Sequence, residues 1–503
     1  MKNNDKVLFW INGALTSFCL SYYLQKKIDS DFFAIIDAYD KPRVFFENQN
    51  LVTFEKTWFY HDFFKNIKKP DLKYLSNFEK KYDINLWNLV INERIFYRFN
   101  DFYKFSDNQI LSILEQECKF YESILDEIKP NLIIAEKPVF HHSHIFSEIC
   151  KAKKIKTLFI SQSRLAYKSI LSSDPFKLDS LKDFENIDSK NRSFEELLDF
   201  LKSSNVSKQL KTFKDTFTTS KIKKAKAAKE FLLFSENTNL KSHYTYFGRT
   251  KSKVILHELL SSMKKKYRSN FIDKNLSMKI PENEKFVYFP LGMDEERNLL
   301  IGAPFFTNQV ETVRHIAKSL PINYKLYVKE HYTVSIRDWR KTSDYDEIMA
   351  IPNVKLFHPS VSNDKLIKNC SLVISAGGTS SFEAVFYQKP SIIFTDTNYS
   401  ILPSVFKVNS IQELPSVIRQ SLLTQVESVS LDKFLQILEK DSIDFDIYGY
   451  MSKMHEHFYF GGNLADVEIS TPTMKSFLEK NKTEFESLAD AHIRKINDYD
   501  QSI

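Results

Sequence analysis

Between Lys6 and Ile160, short apolar runs alternate with amphipathic stretches. Lys6–Ile11 reads as a strand, Leu15–Gln25 as a helix and Phe32–Ile36 as a second strand. Asn131–Ala135 and Thr157–Ile160 read as further strands, with a helical stretch from His144 to Ala152 between them. Strands that alternate with helices pair in parallel through right-handed crossovers, which predicts a Rossmann-like sheet. The intervening Phe54–Ile128 is rich in aromatics and mostly helical in period, ending in a long amphipathic helix around Ile110–Ile128.

A second, more regular series begins at Phe286. Strands are predicted at Phe286–Pro290, Tyr324–Lys329, Val354–Phe357, Leu372–Ser375 and Ser391–Thr395. Helices are predicted at Asn308–Ser319, Asn363–Asn369, Ser380–Tyr387 and Ile411–Leu422. That order is a doubly wound β/α series. Asp174–Pro281 is charged, helical in period and poor in strands; Leu431–Ile503 is helical and polar. The predicted fold class is therefore α/β, with two Rossmann-like domains facing a cleft, a helical middle segment and a helical C-terminal tail. The expected divisions are residues 1–173, 174–281, 282–430 and 431–503, the last packing back towards the first domain.

A chain of 503 residues exceeds one ordinary core, in agreement with more than one domain. Only 9 residues are Gly, so each glycine is a sign of a backbone requirement. The net charge of +7 suits a protein that meets anionic ligands without requiring nucleic acid, and no nucleic-acid partner is expected. Cys19, Cys118, Cys150 and Cys370 are scattered, as reduced and buried thiols of a cytoplasmic protein would be. No apolar run approaches the ~20 residues of a membrane span. Lys208–Lys229, with Leu210, Phe213 and Phe217 on one helical face, reads either as a solvated connecting helix or as a helix that binds a partner or makes a peripheral contact to an anionic membrane surface. Met263–Arg268 adds a second basic cluster.

The strongest chemical signal is Ser375-Ala-Gly-Gly-Thr-Ser-Ser-Phe-Glu-Ala384. A strand stops at Ser375, Gly377 and Gly378 turn the chain, and Thr379, Ser380 and Ser381 open the next helix. Such a turn lets backbone N–H groups and hydroxyls approach a phosphate, with the helix N-terminus adding about half a positive charge. Glu383, one turn in, could accept from a ribose hydroxyl, or could close a capping box with the Ser/Thr run. Lys329-Glu330-His331 directly follows a strand, where open α/β sheets bind ligands; Lys329 would add charge and His331 a donor to phosphate. Glu136 follows a strand of the first series and is the candidate general base, and Arg164 a candidate clamp for an anionic acceptor. His141, His142 and His144 lie close together, but without a carboxylate at regular helical spacing they predict no metal site. No cofactor is expected. His455 and His457 carry no assigned role.

Phe286-Val-Tyr-Phe-Pro-Leu291, Asn308-Gln309, Ser319-Leu-Pro321, Leu326-Tyr-Val-Lys-Glu-His331, Asn353-Val354 and the Gly-Gly-Thr-Ser-Ser-Phe-Glu-Ala run together resemble the capsule polysaccharide synthesis family. The resemblance covers about Glu282–Phe406 and is weaker over Pro130–Arg164, where Glu136 and Ser163-Arg164 look similar. It departs at Tyr332, where the family has Pro after Lys-Glu-His, and in the loop Gly292-Met-Asp-Glu-Glu-Arg297. The family includes bacterial transferases of Kdo (3-deoxy-manno-octulosonic acid) with the two-Rossmann fold called GT-B. The resemblance implies a glycosyltransferase that takes a nucleotide sugar, CMP-Kdo or another CMP-linked acidic sugar, to a saccharide or glycolipid acceptor in a surface polysaccharide. Glu136 and His331 would be catalytic, with the Lys329 and Gly377–Glu383 groups holding the donor. Two other readings share the fold: a glycerol- or ribitol-phosphate transferase of the teichoic acid type, and a non-catalytic polysaccharide-assembly protein.

Overall fold

The structure is a computed structural model and describes residues 5–38, 40–64, 68–163, 165, 167–203, 221–235, 243–332, 340–458 and 468–501. The first sheet is built from β1 (Asp5–Asn12), β2 (Ser30–Asp37), β3 (Lys56–Phe59), β4 (Leu132–Glu136), β5 (Lys156–Gln162) and β6 (Ser169–Ser172). The second holds β7 (Phe286–Pro290), β8 (Lys325–Lys329), β9 (Val354–Phe357), β10 (Leu372–Ser375), β11 (Ser391–Ile393) and β12 (Val405–Lys407). A last short strand, β13 (Ser442–Ile443), returns to the first sheet beside β6.

Strand order explains where ligands can bind. The second sheet runs β9-β8-β7-β10-β11-β12, every neighbouring pair parallel. In the first sheet β3-β2-β1-β4-β5 are parallel, and β6 and β13 add an antiparallel edge. Both are doubly wound, with successive strands laid outwards in one direction and then in the other. The reversal leaves a crevice at the carboxyl ends of the two central strands. In the first sheet that crevice lies between β1 and β4; in the second, between β7 and β10.

Alternation within the strands divides the apolar residues between two faces. Val7, Phe9 and Ile11 face one core of the first sheet, Leu8 and Trp10 the other. Val287 and Phe289 in β7, with Leu326 and Val328 in β8, face one core of the second sheet; Phe286, Tyr288 and Tyr327 face its opposite core. A further cluster joins the halves: Leu165, Ile170 and Leu178 pack with Phe382, Tyr399, Phe434 and Leu438. The helices Ile447–Phe458, Thr471–Lys480 and Lys482–Gln501 lie against the first sheet through Tyr450, Met474, Phe477 and Phe485. Tyr23 donates to the Leu478 carbonyl at 2.6 Å and Tyr450 to the Ala14 carbonyl at 2.8 Å, fastening the tail there.

The sequence reading missed β3 inside a segment expected to be helical. Its four residues, Lys-Thr-Trp-Phe, are too few for a periodic signal, and β2 supplies the pairing instead. It also missed the helix Thr342–Met349 and the short strands β6, β12 and β13. All four cysteines are free and buried.

Candidate functional site

Glu136 is the last residue of β4, beside Asn12, the last described residue of β1. It therefore stands at the reversal point of the first sheet. The Asn12 amide oxygen accepts from the Ala14 N–H at 2.9 Å, which turns its NH₂ towards Glu136 and donates to Oε2 at 3.0 Å. The other carboxylate oxygen, Oε1, is buried and has no hydrogen-bond partner among the described residues.

At the reversal point of the second sheet, β10 ends on Ser375 and the glycine turn follows. Gly377 has φ +117°, and a Cβ there would lie 2.4 Å from the Thr395 side chain, so no larger residue fits. The Gly377 and Gly378 N–H groups both donate to Ser375 Oγ at 3.1 Å, and that hydroxyl meets Ser381 Oγ at 2.7 Å. Gly377, Gly378 and Ser381 thus brace the turn itself through the Ser375 hydroxyl. The helix Thr379–Phe386 has Gly378 at its N-cap, no capping side chain and no acidic residue in its first turn. That removes the capping-box alternative for Glu383 and leaves the helix dipole uncompensated by a side chain. Thr379 is half-buried, Ser380 buried, and Glu383 is near enough for its charge to act on Lys329 and Tyr332.

Lys329 ends β8, on the same edge of the sheet and one strand beyond β7. It is buried and donates to Asn363 at 2.9 Å; burial pushes its ammonium down to about 8. His331 is pushed down to about 3 by burial, then by Lys329 and Arg340, so it meets a ligand as a neutral imidazole. Its ring lies 4.6 Å from that of Tyr332. Arg164 lies outside the described residues, as do Phe213, Phe217 and the first part of the Lys208–Lys229 segment, whose described helix is Lys221–Phe234.

Sequence reasoning missed the group that organises this edge. Arg340 is buried, with Nε donating to Glu330 Oε2 at 2.7 Å, Nη1 3.3 Å from Asp294 Oδ2 and Nη2 donating to the Gly292 carbonyl at 3.1 Å. Tyr345 donates to the same Glu330 oxygen at 2.6 Å. Gln309 accepts from the Gly292 N–H at 2.7 Å and donates to its carbonyl at 3.0 Å. The loop after β7 is thereby tied to the end of β8, and Glu330 is the anchor within the Lys-Glu-His triplet. The signal was present: Asn308-Gln309, Lys-Glu-His and the Gly292–Arg297 loop had been singled out separately.

That loop delivers Arg297 to a cleft lined from both halves of the molecule. Lys137 and Gln162 come from the strand ends of the first sheet, and Phe382, Thr397 and Tyr399 from the second. The cleft is lined by neighbours of Glu136 and of the glycine turn: Lys137 follows Glu136, and Thr397 lies with Thr395 against Gly377. Arg297 lies over the Phe176 ring at 3.5 Å, makes no ion pair among the described residues, and has a buried Nε without a partner. Burial pushes it down to about 10, with Asp174 and Glu148 opposing. An unpaired, largely desolvated guanidinium in a cleft is a site for an anion.

Residues 188–403 match the model of the family described as "Capsule polysaccharide biosynthesis protein". Among solved structures, the UDP-GlcNAc 2-epimerase of Methanocaldococcus jannaschii is 13% identical, covers 86% of this chain and 99% of its own, and has a TM-score of 0.25. KpsC of Thermosulfurimonas dismutans, a beta Kdo 2,7 transferase, is 12% identical over 64% of this chain and 89% of its own, with a TM-score of 0.28. The rhamnosyltransferase SpnG, complexed with thymidine diphosphate, is 10% identical over 86% and 95%, with a TM-score of 0.25. Superpositions this loose carry no argument about activity. No curated protein matches the chain.

Removing one partner of a buried ion cluster leaves the others uncompensated, which costs about 3–5 kcal/mol. Glu330→Ala should lose that much stability in urea unfolding. A loss below about 1 kcal/mol, the scale of an exposed pair, would show that the cluster does not hold the loop.

Proposed function

We propose that the chain is a glycosyltransferase of capsule polysaccharide assembly. It holds a nucleotide-activated sugar at the β7–β10 reversal point and a saccharide or glycolipid acceptor at the β1–β4 reversal point. The observation that carries this reading is the cleft lined from both halves of the molecule, where Arg297 makes no ion pair among the described residues. The family match over residues 188–403 supports the polysaccharide context.

In this reading Glu136 Oε1 takes the proton of the acceptor hydroxyl as its oxygen attacks the anomeric carbon of the donor. The bond to the nucleotide phosphate breaks, and the negative charge moves onto the departing phosphate. The N-terminus of the helix Thr379–Phe386, the Thr379 hydroxyl, the His331 imidazole N–H and Arg297 receive that charge. Arg297 and Lys137 together suit an acidic sugar as donor, CMP-Kdo or another CMP-linked sugar acid. Glu383 would accept from the ribose. With Ser375, Gly377, Gly378 and Ser381 fixing the turn, the charge-receiving groups need no rearrangement during the reaction.

Nucleotide-dependent stabilisation tests the donor. CMP should raise the melting temperature by more than UDP, with a gain of about 2.7 kcal/mol at a hundredfold excess over Kd. A response to CDP-glycerol alone would favour phosphoryl transfer, and no response to any nucleotide would favour a non-catalytic assembly protein. In the kinetic counterpart, Glu136→Gln should abolish turnover while leaving nucleotide affinity within about twofold, as expected on removing a base without altering shape. Wild-type turnover in that variant would end the catalytic assignment.

We also propose that the middle helices rest on an anionic lipid surface, where a glycolipid acceptor would be presented. No helix among the described residues is long and apolar enough to cross a membrane. However, Ile222, Leu233, Phe234, Leu259, Met263 and Tyr267 are exposed on Lys221–Phe234 and Lys251–Asn275, beside exposed Lys224, Lys226, Lys264 and Lys266. Each basic residue near such a surface is worth about 1 kcal/mol. Vesicles with phosphatidylglycerol should bind the protein, and salt should weaken the binding. Equal binding to neutral vesicles, or none to either, would contradict this.

A further inference from the structure

On the opposite side of the first sheet from the tail, a group of ionisable side chains lies in the core without contributing to the cleft. The helix His141–Ala152 starts three residues before its expected position and carries His141 and His142 inwards; both are buried, His141 fully. The helix Asp107–Ile128 brings Glu117 against them, 0% exposed. Glu93 comes from the segment after the helix Leu86–Ile91, and Asp37 from the end of β2. The spacing argument against a metal considered only carboxylates on the histidines' own helix. The fold supplies them from elsewhere.

Three observations define a site. First, one potential ligand atom from each of Glu117, His141 and His142 lies within 4.8 Å of the others. Second, each imidazole has its far nitrogen beside a carboxylate. His141 Nδ1 is 3.0 Å from Glu93 Oε2, and His142 Nε2 is 3.4 Å from Asp37 Oδ2. This carboxylate–histidine pairing orients imidazoles that bind metals and selects which nitrogen is left to do so. Third, the Glu117 carboxylate is unevenly used. Its Oε1 meets Tyr60, Tyr244 at 2.9 Å and His141 Nε2 at 3.1 Å, whereas among the described residues the buried Oε2 has no partner, and neither has His142 Nδ1.

Three carboxylates, Asp37, Glu93 and Glu117, meet here, with the Arg94 guanidinium 3.7 Å from Glu93 and the His61 ring 2.8 Å from Asp37. Against its burial, Glu117 and Glu93 raise the His141 imidazole to about 10, so a bound cation takes the place of that proton. Tetrahedral bonds of about 2.1 Å set ligand atoms about 3.4 Å apart, so the three side chains need to close in by about an ångström. We propose that Glu117, His141 and His142 form a buried site for a divalent transition-metal cation of the zinc class, with Glu93 and Asp37 orienting the imidazoles. Two nitrogens and one carboxylate oxygen suit zinc or cobalt better than magnesium or calcium, which prefer all-oxygen shells. The setting points to a cation that ties two helices to the sheet.

The test uses the full chain, stripped with a chelator and then titrated with Co²⁺ and Zn²⁺. About one equivalent should bind, Co²⁺ with the visible absorption of a nitrogen- and oxygen-ligated tetrahedral ion. Zn²⁺ should raise the melting temperature and chelator should reverse the gain. Glu117→Gln and His142→Gln should each lower metal affinity by at least tenfold, and His144→Ala, on the same helix but outside the group, should not. Substoichiometric binding with no thermal response would overturn the proposal and leave a proton- or water-bridged cluster. Unchanged affinity in both variants would overturn it as well. Should both variants fail to fold, the wild-type cobalt spectrum decides, and the spectrum of aqueous cobalt would overturn the assignment.

Discussion

A guanidinium enclosed in protein must have its charge met on the spot, and Arg340 is the case on which the cleft depends. Its partners come from the loop after β7, the end of β8 and, through Tyr345, the helix Thr342–Met349. Leaving any one of them out would strand charge in the core, so the three segments can assemble only together. The loop consequently has one position, and Arg297 is carried at its far end into the space between the sheets. Arg297, with no ion pair among the described residues, thus stands three residues beyond Asp294, a partner of Arg340, whose charge is met. The difference between them separates support from ligand binding.

The sheets impose the second constraint. A doubly wound order leaves one crevice per sheet, at the carboxyl ends of the central strands, and residues from both halves line a common cleft. Glu136 with Asn12 occupies one crevice; the Ser375–Ser381 turn and the Gly292–Arg297 loop occupy the other. The apolar cluster joining Leu165 and Leu178 to Phe382 and Phe434 packs at the side of the cleft and links the two halves. The glycine turn holds itself with its own hydroxyls, so its form does not wait for a ligand.

Much of this was legible in the sequence because parallel strands buried on both faces are continuous apolar runs. Phe286–Pro290 and Leu372–Ser375 have the expected bounds, and the helix Asn363–Asn369 agrees to the residue. Positions set by chain order, such as Glu136 at the end of β4 and His331 after β8, were legible for the same reason. What was not legible depends on contacts between distant segments. The role of Glu330 needs Arg340 and Asp294, and the division of labour within the glycine turn needs the Ser375 hydroxyl. The histidines at 141 and 142 seemed to lack carboxylates because Glu93 and Glu117 arrive through tertiary packing. β3 is too short to show a period and exists because β2 offers an edge.

The central claim is that one cleft receives a nucleotide at the second sheet's crevice and an acceptor at the first. A crystal structure of the protein with CMP tests it most directly. The account predicts the phosphate at the N-terminus of the helix Thr379–Phe386, within hydrogen-bond distance of Thr379 and reached by Arg297, with the ribose towards Glu383. A nucleotide bound at the amino ends of the strands, or on the first sheet beside Glu136, would contradict it.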